Sequence, residues 1–151
     1  MKRWIAILLL VLSALAMARA ETAGRELSEY YGKDIAQAAE ALGGLTFSEG
    51  DEFEQNYVGD GLALRGDKGL VRLIELRDAP SGDTLCGVGV GMARKDVVKL
   101  MEGLPMPWSY DEEIAWIVRP DEQNELNSEL LVVFFDENGR VNGAWYRASD
   151  I

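Results

Sequence analysis

The chain has 151 residues, with 26 acidic against 15 basic side chains, no histidine and one cysteine, a length that fits one domain or two very small ones. Without histidine there is no Ser-His-Asp or Cys-His mechanism, and the commonest neutral-pH acid/base and zinc ligand is missing. One cysteine forms neither an intramolecular disulfide nor a cysteine-ligated cluster, while a hydrophobic share of 48% is that of a packed globule and not of an acidic disordered tail.

Residues 1–20 read as a cleaved export signal. Lys2 and Arg3 precede the apolar run Ile5 to Leu12, and Ala18-Arg19-Ala20 puts small residues where a signal peptidase cuts. The apolar stretch falls short of the about 20 residues that cross a bilayer, so no stable membrane anchor is expected after cleavage. Losing Lys2, Arg3 and Arg19 leaves 12 basic against 26 acidic residues, a net charge of −14. Such a surface repels nucleic acid and anionic headgroups, so neither is an expected partner.

A helix is predicted after Lys33-Asp34, because Ile35, Ala38, Ala39 and Leu42 follow the i, i+3, i+4, i+7 stripe before Gly43-Gly44 ends it. Strands follow at Glu52 to Val58, from Leu62, and at Leu70 to Leu76, with turns at Gly59-Asp60-Gly61 and Gly66 to Gly69. Val97, Leu100, Met101 and Leu104 then repeat the helical stripe, and Pro105 stops it. At an offset of 62, Lys33, Asp34, Glu40 and Leu42 meet Lys95, Asp96, Glu102 and Leu104. Further strands are predicted at Ile114 to Val118, Leu130 to Phe135 and Val141 to Arg147, around a polar loop at Pro120 to Asn127 and a hairpin turn at Asp136 to Gly139. The economical reading is an α+β fold of two tandem helix-plus-antiparallel-sheet modules, residues 21–80 and 81–151. The helices lie on one face of the sheet, and Arg77 to Thr84 is the hinge.

The stretch LCGVGVGMARKDVVKLMEGLPMPW, with FFDENGRV and AWY after it, resembles the α/β module of the small outer-membrane assembly lipoproteins (SmpA/OmlA type), which also occurs in tandem in β-lactamase inhibitor proteins. The features that carry the resemblance are Val90-Gly91-Met92, Val97, Leu100, Gly103, Pro105, Phe135-Asp136 and Gly139-Arg140-Val141. It covers roughly residues 85 to 147 and, more weakly, 27 to 77. The acylated cysteine of the lipoproteins and the disulfides of the inhibitors have no counterpart here, and no site residue is carried over. The resemblance implies an extracytoplasmic protein-binding scaffold.

Candidate site residues come from a surplus of apolar strand positions. A sheet with one solvated face alternates apolar and polar residues, yet Leu130 to Phe135 and Ile114 to Val118 are apolar on both faces. Either the second face is covered within the chain, by residues 21–31 or by the other copy, or it offers an aromatic patch to a protein partner or to self-association. The residues assigned to that patch are Trp108, Tyr110, Trp116, Phe134, Trp145 and Tyr146. The carboxylate pairs Asp111-Glu112-Glu113, Asp121-Glu122 and Asp136-Glu137 read as solvated turns. Gly87 to Gly91 reads as a closely packed extended segment and not a phosphate loop, Cys86 as a small buried apolar residue, and Arg25/Glu26 and Arg94/Asp96 as surface charge. No catalytic residue, metal or cofactor is assigned. The function expected is an exported, non-catalytic protein-binding scaffold, an adaptor or inhibitor of an envelope or secreted protein. The alternative is a small-ligand or cell-wall-sugar binder, or a carboxylate-based hydrolase, using Trp108 or Tyr110.

Overall fold

The structure is a computed structural model that describes residues 24–51, 54–77 and 82–149. The export signal expected over residues 1–20 lies outside the described residues, as do residues 78–81 of the expected hinge.

Among the described residues, eight strands form one antiparallel sheet: β1 (Thr46–Gly50), β2 (Glu54–Gly59), β3 (Leu62–Asp67), β4 (Leu70–Leu76), β5 (Trp108–Ser109), β6 (Glu113–Arg119), β7 (Glu129–Phe135) and β8 (Val141–Ala148). Their spatial order is β1-β2-β3-β4-β8-β7-β6-β5. Two tight turns hold the longest hairpins in register. Between β3 and β4, Lys68 and Gly69 both adopt positive φ (51° and 77°), the backbone that matches the twist of flanking strands. Between β7 and β8, the Asp136 carboxylate accepts from the N–H groups of Asn138 and Arg140, and Gly139 takes the left-handed position.

The expectation of two tandem modules is overturned by this sheet. Strands β4 and β8 pair directly, Leu73 with Arg147 through Leu76 with Ala144, so both halves share one ladder. Their inward side chains also join one core, in which Leu64, Ile74, Leu131, Val133 and Tyr146 pack together. The physical reason is size: a half of about 60 residues buries too little apolar surface to stand alone.

Only two short α-helices occur among the described residues, α1 (Ile35–Leu42) and α2 (Arg94–Leu100). Asp34 caps α1 by accepting from the Gln37 N–H at 2.9 Å, and Ile35, Ala38, Ala39 and Leu42 are all buried. Helix α2 buries Val97 alone, with Met101 just beyond its end. Only half of the second segment's stripe is carried into packing, since Leu100 and Leu104 are 51% and 39% exposed while Val97 and Met101 are buried. The glycine run is corrected too: Cys86 and Gly87, both at positive φ, make a tight turn between the buried Leu85 and Val88, not an extended segment.

Candidate functional site

The sheet face away from the helices carries a second apolar cluster. Cross-strand register sets Glu75, Trp145, Val132, Ala115 and Trp108 in one row across β4, β8, β7, β6 and β5. The next row runs Leu73, Arg147, Leu130 and Ile117. Ala115, Leu130 and Val132 are at most 2% exposed, and the side chains over them are Trp108, Ile117, Phe134 and Trp145. Among the described residues, no helix residue belongs to this cluster. The large side chains therefore lie across the strands and shield smaller ones, with Phe134 and Trp145 edge to face at 4.8 Å between ring centres. Trp108 donates from Nε1 to the Glu113 carboxylate at 2.6 Å, which fixes the indole at the edge of the patch. At the opposite rim Glu75 holds Arg77 at 3.4 Å and, more loosely, Arg65 at 3.7 Å.

Of the six residues assigned from sequence, Trp108, Phe134 and Trp145 come together here. Trp116 and Tyr146, each 3% exposed, belong to the helix-covered core, which removes them from any exposed surface. The Tyr146 hydroxyl donates to the Glu129 carboxylate, and its ring packs edge-on to Tyr31 at 5.4 Å. Burial, and then the Glu129 carboxylate, push its ionisation well above the ordinary tyrosine range. Tyr110 is 67% exposed, and its carbonyl accepts from Arg94. Glu113, read as a turn acid, is instead the anchor of Trp108. The apolar runs in β6 and β7 already pointed to Ala115, Ile117, Leu130 and Val132.

Of the four residues read as surface charge, Arg25, Glu26 and Arg94 are structural, while Asp96 is exposed. Arg25 forms an ion pair with the buried Asp83 at 2.7 Å and donates to the Leu42 carbonyl at the end of α1. Arg94 donates to the Asp111 carbonyl at 2.6 Å and lies over the Phe135 ring. Glu26 accepts from the N–H groups of Cys86 (2.8 Å), Gly87 (2.9 Å) and Ser28 (3.1 Å) and from the Thr84 and Ser28 hydroxyls. Burial raises its pKa, but these hydrogen bonds together outweigh burial and leave the carboxyl below its ordinary value. Cys86 is half-buried, and desolvation followed by the neighbouring Glu26 charge pushes its thiol up to about 11. At neutral pH it is therefore protonated and a poor nucleophile. Among the described residues no three carboxylates or thiols converge as a metal-ligand group, and no helix is long and apolar enough to cross a membrane.

No family model and no curated protein matches the chain. Among solved structures it is similar in fold to an extracellular protein containing an SCP domain from Bacillus anthracis str. Ames, with a TM-score of 0.57 over 84% of this chain and 9% sequence identity. The chain spans 47% of that protein's length, and at this identity the likeness is one of fold alone.

Proposed function

We propose that the protein is an exported, non-catalytic binding scaffold, an adaptor or inhibitor that engages an envelope or secreted protein through the open sheet face. The observation that carries this reading is the cluster of Trp108, Ile117, Phe134 and Trp145, to which no helix residue belongs among the described residues. Apolar surface of this kind, rich in tryptophan and rimmed by charge, is typical of protein interfaces. The resemblance of residues 85 to 147 to the assembly-lipoprotein pattern supports the same class. Fold similarity to an extracellular protein supports a site of action outside the cytoplasm.

The test is capture of envelope or secreted proteins by the purified chain, identification of what is retained, and measurement of binding with the purified partner. Trp145→Ala and Phe134→Ala are expected to weaken binding at least about tenfold, as central aromatic contacts do, while leaving the circular dichroism of the sheet unchanged. Tyr110→Ala is expected to bind as the wild type. Unchanged affinity in both Trp145→Ala and Phe134→Ala overturns the assignment of this face.

A further inference from the structure

A cleft opens at the end of the sheet where β4 and β8 part. Their pairing begins only at Leu73. The earlier part of β4 turns instead to residues 32–34: Gly32 donates to the Val71 carbonyl at 2.9 Å and Val71 to the Lys33 carbonyl at 2.8 Å. The cavity left beside this divergence measures about 790 Å³, and its walls include Glu54, Asn56, Arg65, Asp67, Arg72 and Leu73.

The backbone brings two arginines, Arg65 and Arg72, to this place, with Arg147 on the neighbouring strand. In register, Leu73 lies between Arg65 of β3 and Arg147 of β8. A bulge opposite Arg65 and Gly66 makes Arg72 the extra residue of β4, breaking the strand's alternation so that Arg72 and Leu73 both line the cleft. The neighbours of these guanidinium groups leave them poorly matched. Arg72 is half-buried and has no hydrogen bond or ion pair among the described residues. Arg65 has only its 3.7 Å approach to Glu75, which also serves Arg77. Arg147 donates from Nη1 to the carbonyl of Ala148, another residue of the cleft wall, while its Nε is buried without a hydrogen-bond partner. A half-buried guanidinium left without a partner, as Arg72 is, is costly.

We infer that this cleft binds a small molecule through its carboxylate or phosphate group, gripped by Arg65 and Arg72. The planar fork of guanidinium donors suits either group. Three carboxylates on the same walls, Glu54, Asp67 and Glu129, select a ligand that also carries donors, an amine or hydroxyls, beside its anionic group. The site is separate from the protein-binding reading of the open face and does not rest on it.

The experiment is an NMR titration of the ¹⁵N-labelled protein with L-glutamate, glycerol 3-phosphate and inorganic phosphate, each at low ionic strength. Saturable shifts centred on Arg65, Arg72 and Leu73 are expected for at least one probe, and which probe saturates identifies carboxylate or phosphate. Arg72→Ala is expected to weaken that binding about tenfold or more, the effect of losing one charge-assisted hydrogen bond. Arg65→Gln, at a side chain that is 59% exposed, gives the same reading should Arg72→Ala perturb the bulge. Trp145→Ala is expected to leave the anion affinity unchanged, which separates this site from the open face. No saturable shift with any probe, or wild-type affinity in both arginine variants, overturns the inference.

Discussion

Lys68 holds a left-handed backbone at φ 51° in the β3–β4 turn, beside Gly69 at 77°. A side chain there is crowded against its own carbonyl, whereas glycine adopts the region without that crowding. Lys68→Gly is therefore expected to stabilise the fold by about 1 kcal/mol, read as a rise of a few degrees in Tm. Lys68→Ala, which keeps the Cβ, is expected to leave Tm unchanged. Glu26 gives a residue-scale prediction of opposite sign. Its folded pKa lies below the ordinary 4.5, so its contribution is fully present above pH 4.5 and is lost as the pH falls through the folded value. Glu26→Gln is expected to cost about 1–2 kcal/mol at pH 7, the low end for charge-assisted hydrogen bonds because the group is partly exposed. Urea unfolding of both proteins from pH 7 down to pH 3 checks this. The gap between them should close below pH 4.5, and a gap that stays constant would show that the carboxylate charge contributes nothing.

At the scale of elements, α1 and α2 carry the same apolar phase and meet different fates. Leu42 at the end of α1 is 6% exposed, and Leu100 at the end of α2 is 51% exposed. Leu42→Ala is expected to cost about 2–5 kcal/mol and Leu100→Ala less than about 1 kcal/mol, measured as the shift in urea midpoint at constant slope. Equal losses would show that α2 packs as tightly as α1. Periodicity reveals which residues share a stripe but not how much of the sheet each stripe reaches. The same limit governs the site. Alternation places Trp145 and Tyr146 on opposite faces of β8, yet only the register Trp116–Leu131–Tyr146 shows which of them the core receives. The long central strands were legible because their apolar runs are unbroken, and Leu70–Leu76 has the bounds its sequence pattern predicts. The edge strands were not. All five residues of β1 are exposed, and β5 has two residues, so neither carries the alternation that one buried face imposes. The arginine cleft was hidden for a related reason, since it depends on a bulge that shifts Arg72 out of the regular pleat.

For the whole molecule, the β4–β8 seam decides how stability is shared. Four residue pairs join the halves there, and the seam side chains Ile74, Leu76, Ala144 and Tyr146 are at most 3% exposed. Independent modules would each melt at their own midpoint, whereas one sheet around one core unfolds in a single cooperative step. The aromatic residues allow the two ends to be followed separately. Trp108, Trp116 and Trp145 lie in β5, β6 and β8, and with Trp4 replaced by phenylalanine or removed with residues 1–20 tryptophan fluorescence reports that end of the sheet. Amide signals from β2 and β3 report the other. Ile74→Ala, at 0% exposure on the seam, removes contacts from a core that both ends share. It is expected to cost about 2–5 kcal/mol and to shift the fluorescence midpoint and the β2–β3 amide midpoint together. If the amide midpoint moved while tryptophan fluorescence held its wild-type value, the seam would be a contact between two autonomous units. Coincident shifts would instead mean that the aromatic face on one side and the arginine cleft at the seam depend on the same cooperative fold.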